Sequence, residues 1–260
     1  KAFTKGDFSG NFFQAGVAEL TMACVMNGMA LHGGIIPACG TFFVFSDYMK
    51  PAVRLSALMR QHVIYIWTHD SFRVGEDGPT HEPVEHEAQI RLMEHLHNHS
   101  GERSMLVLRP ADSDETVAAW KMALEEKRPV ALVLSRQNIK NLPALSGRSR
   151  RDEAMQAERG GYVVFEMPDA KGTMIATGSA GSTLVEGAEL LAAAGIATRV
   201  VSVPSEGLFR DQPKEYQQAV LGTLPRYGMT SGLSINLVGL VGESGYIHGF
   251  DHFGYSAPYK

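Results

Sequence analysis

"VIYIWTHDSFRVGEDGPTHEP", residues 63–83, runs from five apolar positions into turn formers and titratable side chains. Its first five residues decide the fold. They have no polar face, and a strand apolar on both faces is the kind that parallel sheets bury between helices. Directly behind that strand, residues 68–89 pack three histidines and six acidic residues. This cluster is open to three readings: a metal site, a substrate-binding loop, or a solvated surface.

Outward from this strand, apolar runs alternate with helical periodicity. Upstream, residues 17–31 carry apolar side chains at helical spacing, and Gly33-Gly34 would stop the helix. "IPACGTFFVF" reads as a strand and "MKPAVRLSALMRQ" as a helix, with Pro51 early enough to be tolerated. Downstream, "EHEAQIRLMEHLHN" is helical, "SMLVLRP" a strand, "DETVAAWKMALEE" a helix and "PVALVLS" a strand. Asp112 or Ser113 suits the N-cap of the helix between those two strands. From about Asn138 to Arg159 the composition turns polar and charged, as in a linker. A second unit follows with "GYVVFEM", "TMIATGS", a helix "TLVEGAELLAAAG" and a strand "ATRVVSVP". Residues 226–260, rich in Gly and Tyr, read as strands joined by turns. The expected class is α/β, with two doubly wound, mostly parallel-sheet domains. Such sheets bind ligands beyond the C-terminal ends of their strands. Both the 68–89 stretch and "SRQN" at 135–138 sit at such an end.

The 260 residues carry a formal net charge of -4, and no Lys/Arg block stands out, which argues against nucleic acid or a membrane as partner. No apolar run reaches the length of a bilayer span, and "KAFTKGDFSG" lacks the apolar stretch of a signal peptide. Cys24 and Cys39 lie in apolar runs and form no C-x-x-C pair, consistent with two buried thiols in a reducing, cytoplasmic compartment.

Each chemical motif has a plain structural counterpart. A zincin helix needs two histidines four apart; His81 and His86 are five apart, so on a helix their rings would diverge by roughly 140°. Pro83 between them also disfavours a helix there. His95, His97 and His99 alternate in what reads as an exposed loop. In "GEDGPTH", Gly75, Gly78 and Pro79 shape turns that aim Asp77 and His81 outward from a sheet edge. A carboxylate and an imidazole there can bind hydroxyls and move protons near neutral pH; the alternative is a solvated turn. Glu19, beside Val17, Leu20, Met22 and Ala23, is either a surface residue or a carboxylate whose pKa is raised by apolar surroundings. In "GTFFVFSDY" some of Phe42, Phe43, Phe45 and Tyr48 must be core, but strand alternation could present Phe42 or Phe45 to a flat ring. "GSAGS", 178–182, lies between a strand and a helix; it reads as a tight turn with a helix cap more readily than as a phosphate cradle.

Together, "GTFFVFSDYMKPAVRLSALM", "THDSFRVGEDGPTHEP", "LVLRPAD", "ALVLSRQN" and "HFGYSAPYK" resemble the transketolase family, in order and across nearly the whole chain. The resemblance implies a pyrimidine-binding domain over residues 1–145, a linker over 146–159 and a C-terminal domain over 160–260. It implies transfer of a two-carbon ketol unit between sugar phosphates, with thiamine diphosphate and Mg or Ca. By position, Glu19 matches the glutamate that hydrogen-bonds the aminopyrimidine, although Ala18 and Leu20 depart from the common "GVREH". Phe42, Phe45 and Tyr48 match the aromatic residues around that ring. His69 and Asp77 match residues on the substrate's hydroxyls, His81 a catalytic-channel histidine near the phosphate end, and Arg136 the arginine that grips the phosphate. A guanidinium fork suits a phosphate. Ser71-Phe72 replaces a more usual small aliphatic. No metal ligand is expected among these residues.

The family's diphosphate-binding G-D-G…N motif does not occur in this sequence. The resemblance therefore covers about the second 40% of such an enzyme, and this chain alone is expected to be inactive. It would be a fragment or a subunit that pairs with itself or with a separate diphosphate-domain chain. Other readings are a non-catalytic pairing module and a 2-oxo-acid dehydrogenase β-type subunit; Arg136 has no task in the latter. The 68–89 stretch then divides into substrate-facing His69, Asp77 and His81, and a helix start formed by Glu82, Glu85, His86 and Glu87.

Overall fold

The computed structural model describes residues 1–145 and 147–256; Ser146 of the expected linker and the end of "HFGYSAPYK", 257–260, lie outside the described residues. A first sheet contains β1 (Ala38–Phe42), β2 (Ile64–Thr68), β3 (Leu106–Leu108) and β4 (Val130–Leu134), in the order β1-β2-β4-β3, all parallel. The strand that opened the sequence reading, β2, lies inside this sheet, with Ile64, Tyr65 and Trp67 almost fully buried. Helices α1 (Glu19–His32), α2 (Ser46–Leu58), α3 (His86–His95) and α4 (Ser113–Glu125) connect or flank these strands. Asp112 caps α4 by accepting from the Glu115 amide at 2.8 Å, which satisfies one of the open amides of a helix start.

After the short α5 (Arg150–Ala154) comes the second sheet, of β5 (Tyr162–Glu166), β6 (Gly172–Ala176), β7 (Thr198–Ser202), β8 (Arg226–Leu233) and β9 (Tyr246–Phe250), ordered β5-β7-β6-β8-β9. Only β5 runs antiparallel to its neighbour; the other pairs are parallel. Helices α6 (Ala180–Ala193), α7 (Glu206–Asp211), α8 (Lys214–Leu221) and α9 (Val238–Val241) complete this unit. The chain is thus α/β with two mostly parallel sheets, as expected.

Several local expectations are corrected. β8 and β9 are not joined by a turn: they pair in parallel, so the chain crosses over through a 3-10 turn at Ser234–Leu237 and α9. α1 begins at Glu19, and Val17 is 98% exposed ahead of it. Pro51 lies inside α2 rather than in its first turn. Cys24 is exposed, whereas Cys39 is buried, which pushes its thiol up to about 12. The segment between the sheets packs closely: Leu142 and Ala157 join a core with Ala111, Ala118, Tyr162 and Leu184.

The two sheets are also tied by buried charge. Arg109, just after β3, donates from Nη1 to Glu87 Oε2 (2.6 Å) and from Nη2 to Asp70 Oδ2 and Ser231 Oγ (both 2.9 Å). Ser179 donates to the same Asp70 oxygen (2.7 Å), and Asn236 to Glu87 (3.2 Å). Arg91 extends the network to Glu87 and Glu94 (3.3 and 3.0 Å). Burial alone would lower the pKa of Arg109, but the adjacent Glu87 and Asp70 carboxylates outweigh it and raise it. The expected helix start is corrected at one member, since α3 begins at His86 behind Glu85 and Glu82 lies ahead of it; Glu82, His86 and Glu87 are all buried, Glu87 in this network. The "GSAGS" turn is part of the same clamp. Gly178 has φ +61°, and a Cβ there would lie 2.6 Å from the Arg109 side chain, so glycine is required on both counts.

Candidate active site

The register of the first sheet sets the site. Phe42, Thr68 and Leu134 are level with one another at the C-terminal ends of β1, β2 and β4. The residues that follow, 43–48, 69–81 and 135–138, therefore leave from one edge, where open α/β sheets present ligands.

At the end of β1 the backbone turns from extended at Phe42 into a 3-10 turn, Phe43–Phe45, and then into α2. Strand alternation thus does not extend to Phe45. In a 3-10 turn residues three apart eclipse, so Phe42 and Phe45 still share a side. Their rings lie 5.9 Å apart, stacked at 13°, and Tyr48 follows Phe45 at 6.1 Å. Phe43 points the opposite way, into the core against Trp67. His69 stacks on Phe42 at 4.0 Å, and His81 meets Phe42 and Phe45 edge-on at 5.9 and 5.2 Å. Edge-to-face and offset stacking at such distances are the favourable arrangements of aromatic rings.

His69 holds φ +59°, a left-handed conformation that is uncommon for a non-glycine residue and is often found at functional sites. Its pKa is lowered, first by burial and then by the Arg136 guanidinium, while Asp77 and Asp70 act in the opposite direction. His69, Asp77 and Arg136 are thus within electrostatic reach of one another. The turn that carries Asp77 has positive φ at Gly75 and Gly78, and closes with the His81 amide donating to Gly78 O at 3.0 Å. Thr80 Oγ1 lies 2.9 Å from His81 Nδ1, which leaves Nε2 for a ligand. Asp77 and Arg136 are exposed, and among the described residues neither side chain has an ion-pair partner.

Glu19 is the first residue of α1, half-buried, and among the described residues its carboxylate has no hydrogen-bond or ion-pair partner. α1 packs along α2, the helix that carries Tyr48. Among the described residues no hydrogen bond or ion pair joins Glu19 to the ring cluster. Phe42, Phe45, Tyr48, His69 and His81 thus form one group, with Asp77 and Arg136 beside it and Glu19 on the adjacent helix start. This set fits the aminopyrimidine half of thiamine diphosphate, which needs ring faces and an uncommitted carboxylate. Exposed Tyr48 and half-buried Phe42 and Phe45 leave such faces open.

Sequence reasoning missed the support beneath these residues. Arg109 and Ser179 hold Asp70, next to His69, while the exposed Thr80 engages the His81 ring. The one available signal was Arg109, a charge at the end of the otherwise apolar strand "SMLVLRP", since a charge so placed is stable only when paired.

The transketolase pyrimidine-binding-domain model matches residues 1–141, and the transketolase-like C-terminal-domain model matches residues 160–260. A plasmid-borne transketolase of Cupriavidus necator is 47% identical over 253 residues, covering 96% of this chain and 35% of that protein. The structure of transketolase from Leishmania mexicana is 37% identical with a TM-score of 0.85, covering 99% of this chain and 36% of that one. A structure described as a split-gene transketolase, inactive beta4 tetramer, is 25% identical with a TM-score of 0.68, covering 93% of this chain and 75% of its own. The chain spans about 35% of the length of the curated relatives it matches. With both family models matched in order across its two sheets, the chain belongs to the transketolase family.

Proposed function

We propose that this chain supplies the aminopyrimidine half of a thiamine-diphosphate site and the sugar-phosphate channel of a transketolase. The enzyme would move a two-carbon ketol unit from a ketose phosphate to an aldose phosphate. The observation that carries this reading is the ring cluster at one sheet edge, with unpaired Arg136 and Asp77 beside it. When bound, the cofactor supplies the carbon nucleophile and electron sink that such a transfer needs. Phe42, Phe45 and Tyr48 bracket its flat ring, and Glu19 shares a proton with the ring nitrogen N1′. His69 and Asp77 hydrogen-bond substrate hydroxyls. His81 offers Nε2 to the substrate because Thr80 engages Nδ1. Arg136 takes the phosphate as a charge-assisted pair. The Mg or Ca ion and the diphosphate fall to a separate domain, in a homodimer or on another chain. Apolar side chains exposed around and after α1 support such an assembly: Leu20, Val25, Met29, Leu31, Ile35 and Ile36. Two unbonded cysteines fit a cytoplasmic, reducing setting.

A second reading, a subunit of a split enzyme, is favoured by the extent of the match to the split-gene chain. One experiment tests the half-site that both readings share. The purified 260-residue chain is assayed with xylulose 5-phosphate, ribose 5-phosphate, thiamine diphosphate and Mg, alone and with the diphosphate-binding portion of a curated relative. The expected result is no turnover alone and turnover on mixing that Glu19→Gln removes. Turnover by the chain alone sinks the half-site; restored turnover indifferent to Glu19→Gln sinks the residue assignment.

A further inference from the structure

A groove of about 490 Å³ runs between α2 and α3, lined by Ser46, Lys50, Trp67, His86 and Ile90 among others. His86, the first residue of α3, is 3% exposed, and neither of its ring nitrogens has a hydrogen-bond partner. Buried imidazoles are nearly always bonded through at least one nitrogen. The oxygens that come near are Asp47 Oδ2, 3.2 Å from Nε2, and Glu85 Oε2, 3.7 Å from Nδ1. Glu85 Oε2 lies beyond hydrogen-bond distance. Asp47 Oδ2 is close enough that, against burial, Lys50 and the ring draw its pKa down, yet it completes no hydrogen bond with the ring among the described residues. One ring nitrogen and one oxygen from each carboxylate all lie within 4.8 Å of one another.

We propose that Asp47, Glu85 and His86 bind a divalent cation of the zinc class, tying the start of α2 to the start of α3. Two donor atoms 3.2 Å apart, each about 2.1 Å from one ion, subtend roughly 100° at it, between the octahedral and tetrahedral angles. A close carboxylate beside an unbonded imidazole is the arrangement an ion between them would occupy. One imidazole and two carboxylates suit Zn²⁺, Co²⁺ or Ni²⁺ rather than Mg²⁺ or Ca²⁺, which prefer oxygen alone. Water would complete the coordination. The histidine spacing that rules out a zincin helix has no bearing here, because the partner of His86 comes from another helix.

Two features oppose the cation. Lys50 pairs with Asp47 Oδ1 at 2.7 Å, and both helix starts carry positive dipole ends. Lys50 is half exposed and can turn to solvent, Oδ2 stays available, and two carboxylates outweigh the dipoles.

The test is equilibrium dialysis of the whole chain against ZnCl₂, and separately CoCl₂, without thiamine diphosphate. The expected result is one ion per chain, with visible Co²⁺ absorption. Outer-shell partners alone usually cost about tenfold or more in metal affinity, so Asp47→Asn and Glu85→Gln should each cost at least that. These two side chains are 42% and 36% exposed, so both variants should fold even if the buried His86→Gln does not. Lys50→Met should tighten binding. No binding by the wild type, or unchanged affinity in Asp47→Asn and Glu85→Gln, overturns the site. So does loss of the ion on joint replacement of the exposed His95, His97 and His99 by Gln, with affinity kept in Asp47→Asn.

Discussion

His69 and Asp70 follow one another just after β2, yet their surroundings differ sharply. The His69 ring is half-buried in an open cluster of aromatic rings, on a strained backbone, within the field of an exposed arginine. Asp70 is 6% exposed and bound by Arg109 and Ser179. The difference shows how a sheet edge can present free polar groups in fixed positions. The open layer leaves one ring nitrogen of each of His69 and His81 and the side chains of Asp77 and Arg136 uncommitted among the described residues, while the layer beneath spends all but a few atoms of its own on crosslinks between the sheets. A positive φ persists only where its surroundings over-determine it, and the Asp70 crosslinks provide that constraint one residue away.

Removing Arg109 should have the largest effect on stability. Arg109→Ala leaves the Asp70 carboxylate buried without a cation and Glu87 with Arg91 alone, and breaking such a buried pair costs about 3–5 kcal/mol. Arg136→Ala at the open layer should stay within about 0.5 kcal/mol, as for surface substitutions generally. Urea denaturation of both variants checks this; equal losses would break the comparison between the layers.

Glu19→Gln should act the other way, on turnover and not on stability. In the assembled enzyme the rate should fall by about 100-fold or more, the range for losing a positioned proton partner. A fall below about tenfold, or roughly 1.4 kcal/mol in the barrier, would remove Glu19 from the role proposed. Arg136→Ala comes next. The KM for phosphorylated substrates should rise about tenfold, in line with roughly 1.5 kcal/mol for a hydrogen bond to a charged group, while an unphosphorylated ketose is unaffected. A matching rise for both sugars would show that Arg136 does not read the phosphate.

The sequence was most informative where a residue's partners are local. "VIYIW" and "PVALVLS" read as buried strands because their own composition leaves no face for water, and the cap read as Asp112 or Ser113 is Asp112, whose acceptor serves an amide three residues on. Most of the candidate site residues share one sheet edge because they follow strands and sit among turn formers, although the ring geometry depended on a 3-10 turn that strand alternation cannot anticipate. The buried layer was not legible for a physical reason. Glu87, Arg91 and Glu94 have the i, i+3 and i+4 spacing of a solvated helix face, and nothing local distinguishes that from burial. Their covering groups, such as Asn236 on Glu87 and Ser205 on Glu94, come from the second sheet unit. His86 was hidden likewise, since its near neighbour Asp47 belongs to another helix.

The smallest effect expected, and the sharpest on the contrast, is the pH dependence of His69. Its folded pKa lies below the ordinary value of 6.5 because burial and Arg136 disfavour the charged ring. Below about 6.5 the unfolded chain takes up a proton that the folded one resists. The stabilisation from the neutral ring is therefore complete above that pH and is lost as the pH falls through the folded value. His69→Asn removes the titrating group and keeps a residue that tolerates the left-handed backbone. Between pH 7.5 and 5.5 the wild type should lose more stability in urea than His69→Asn does. Arg136→Ala should narrow the gap, because it removes the cation that helps keep His69 neutral. Parallel losses in wild type and His69→Asn would mean that His69 ionises freely and that the field between the open-layer residues is too weak to matter.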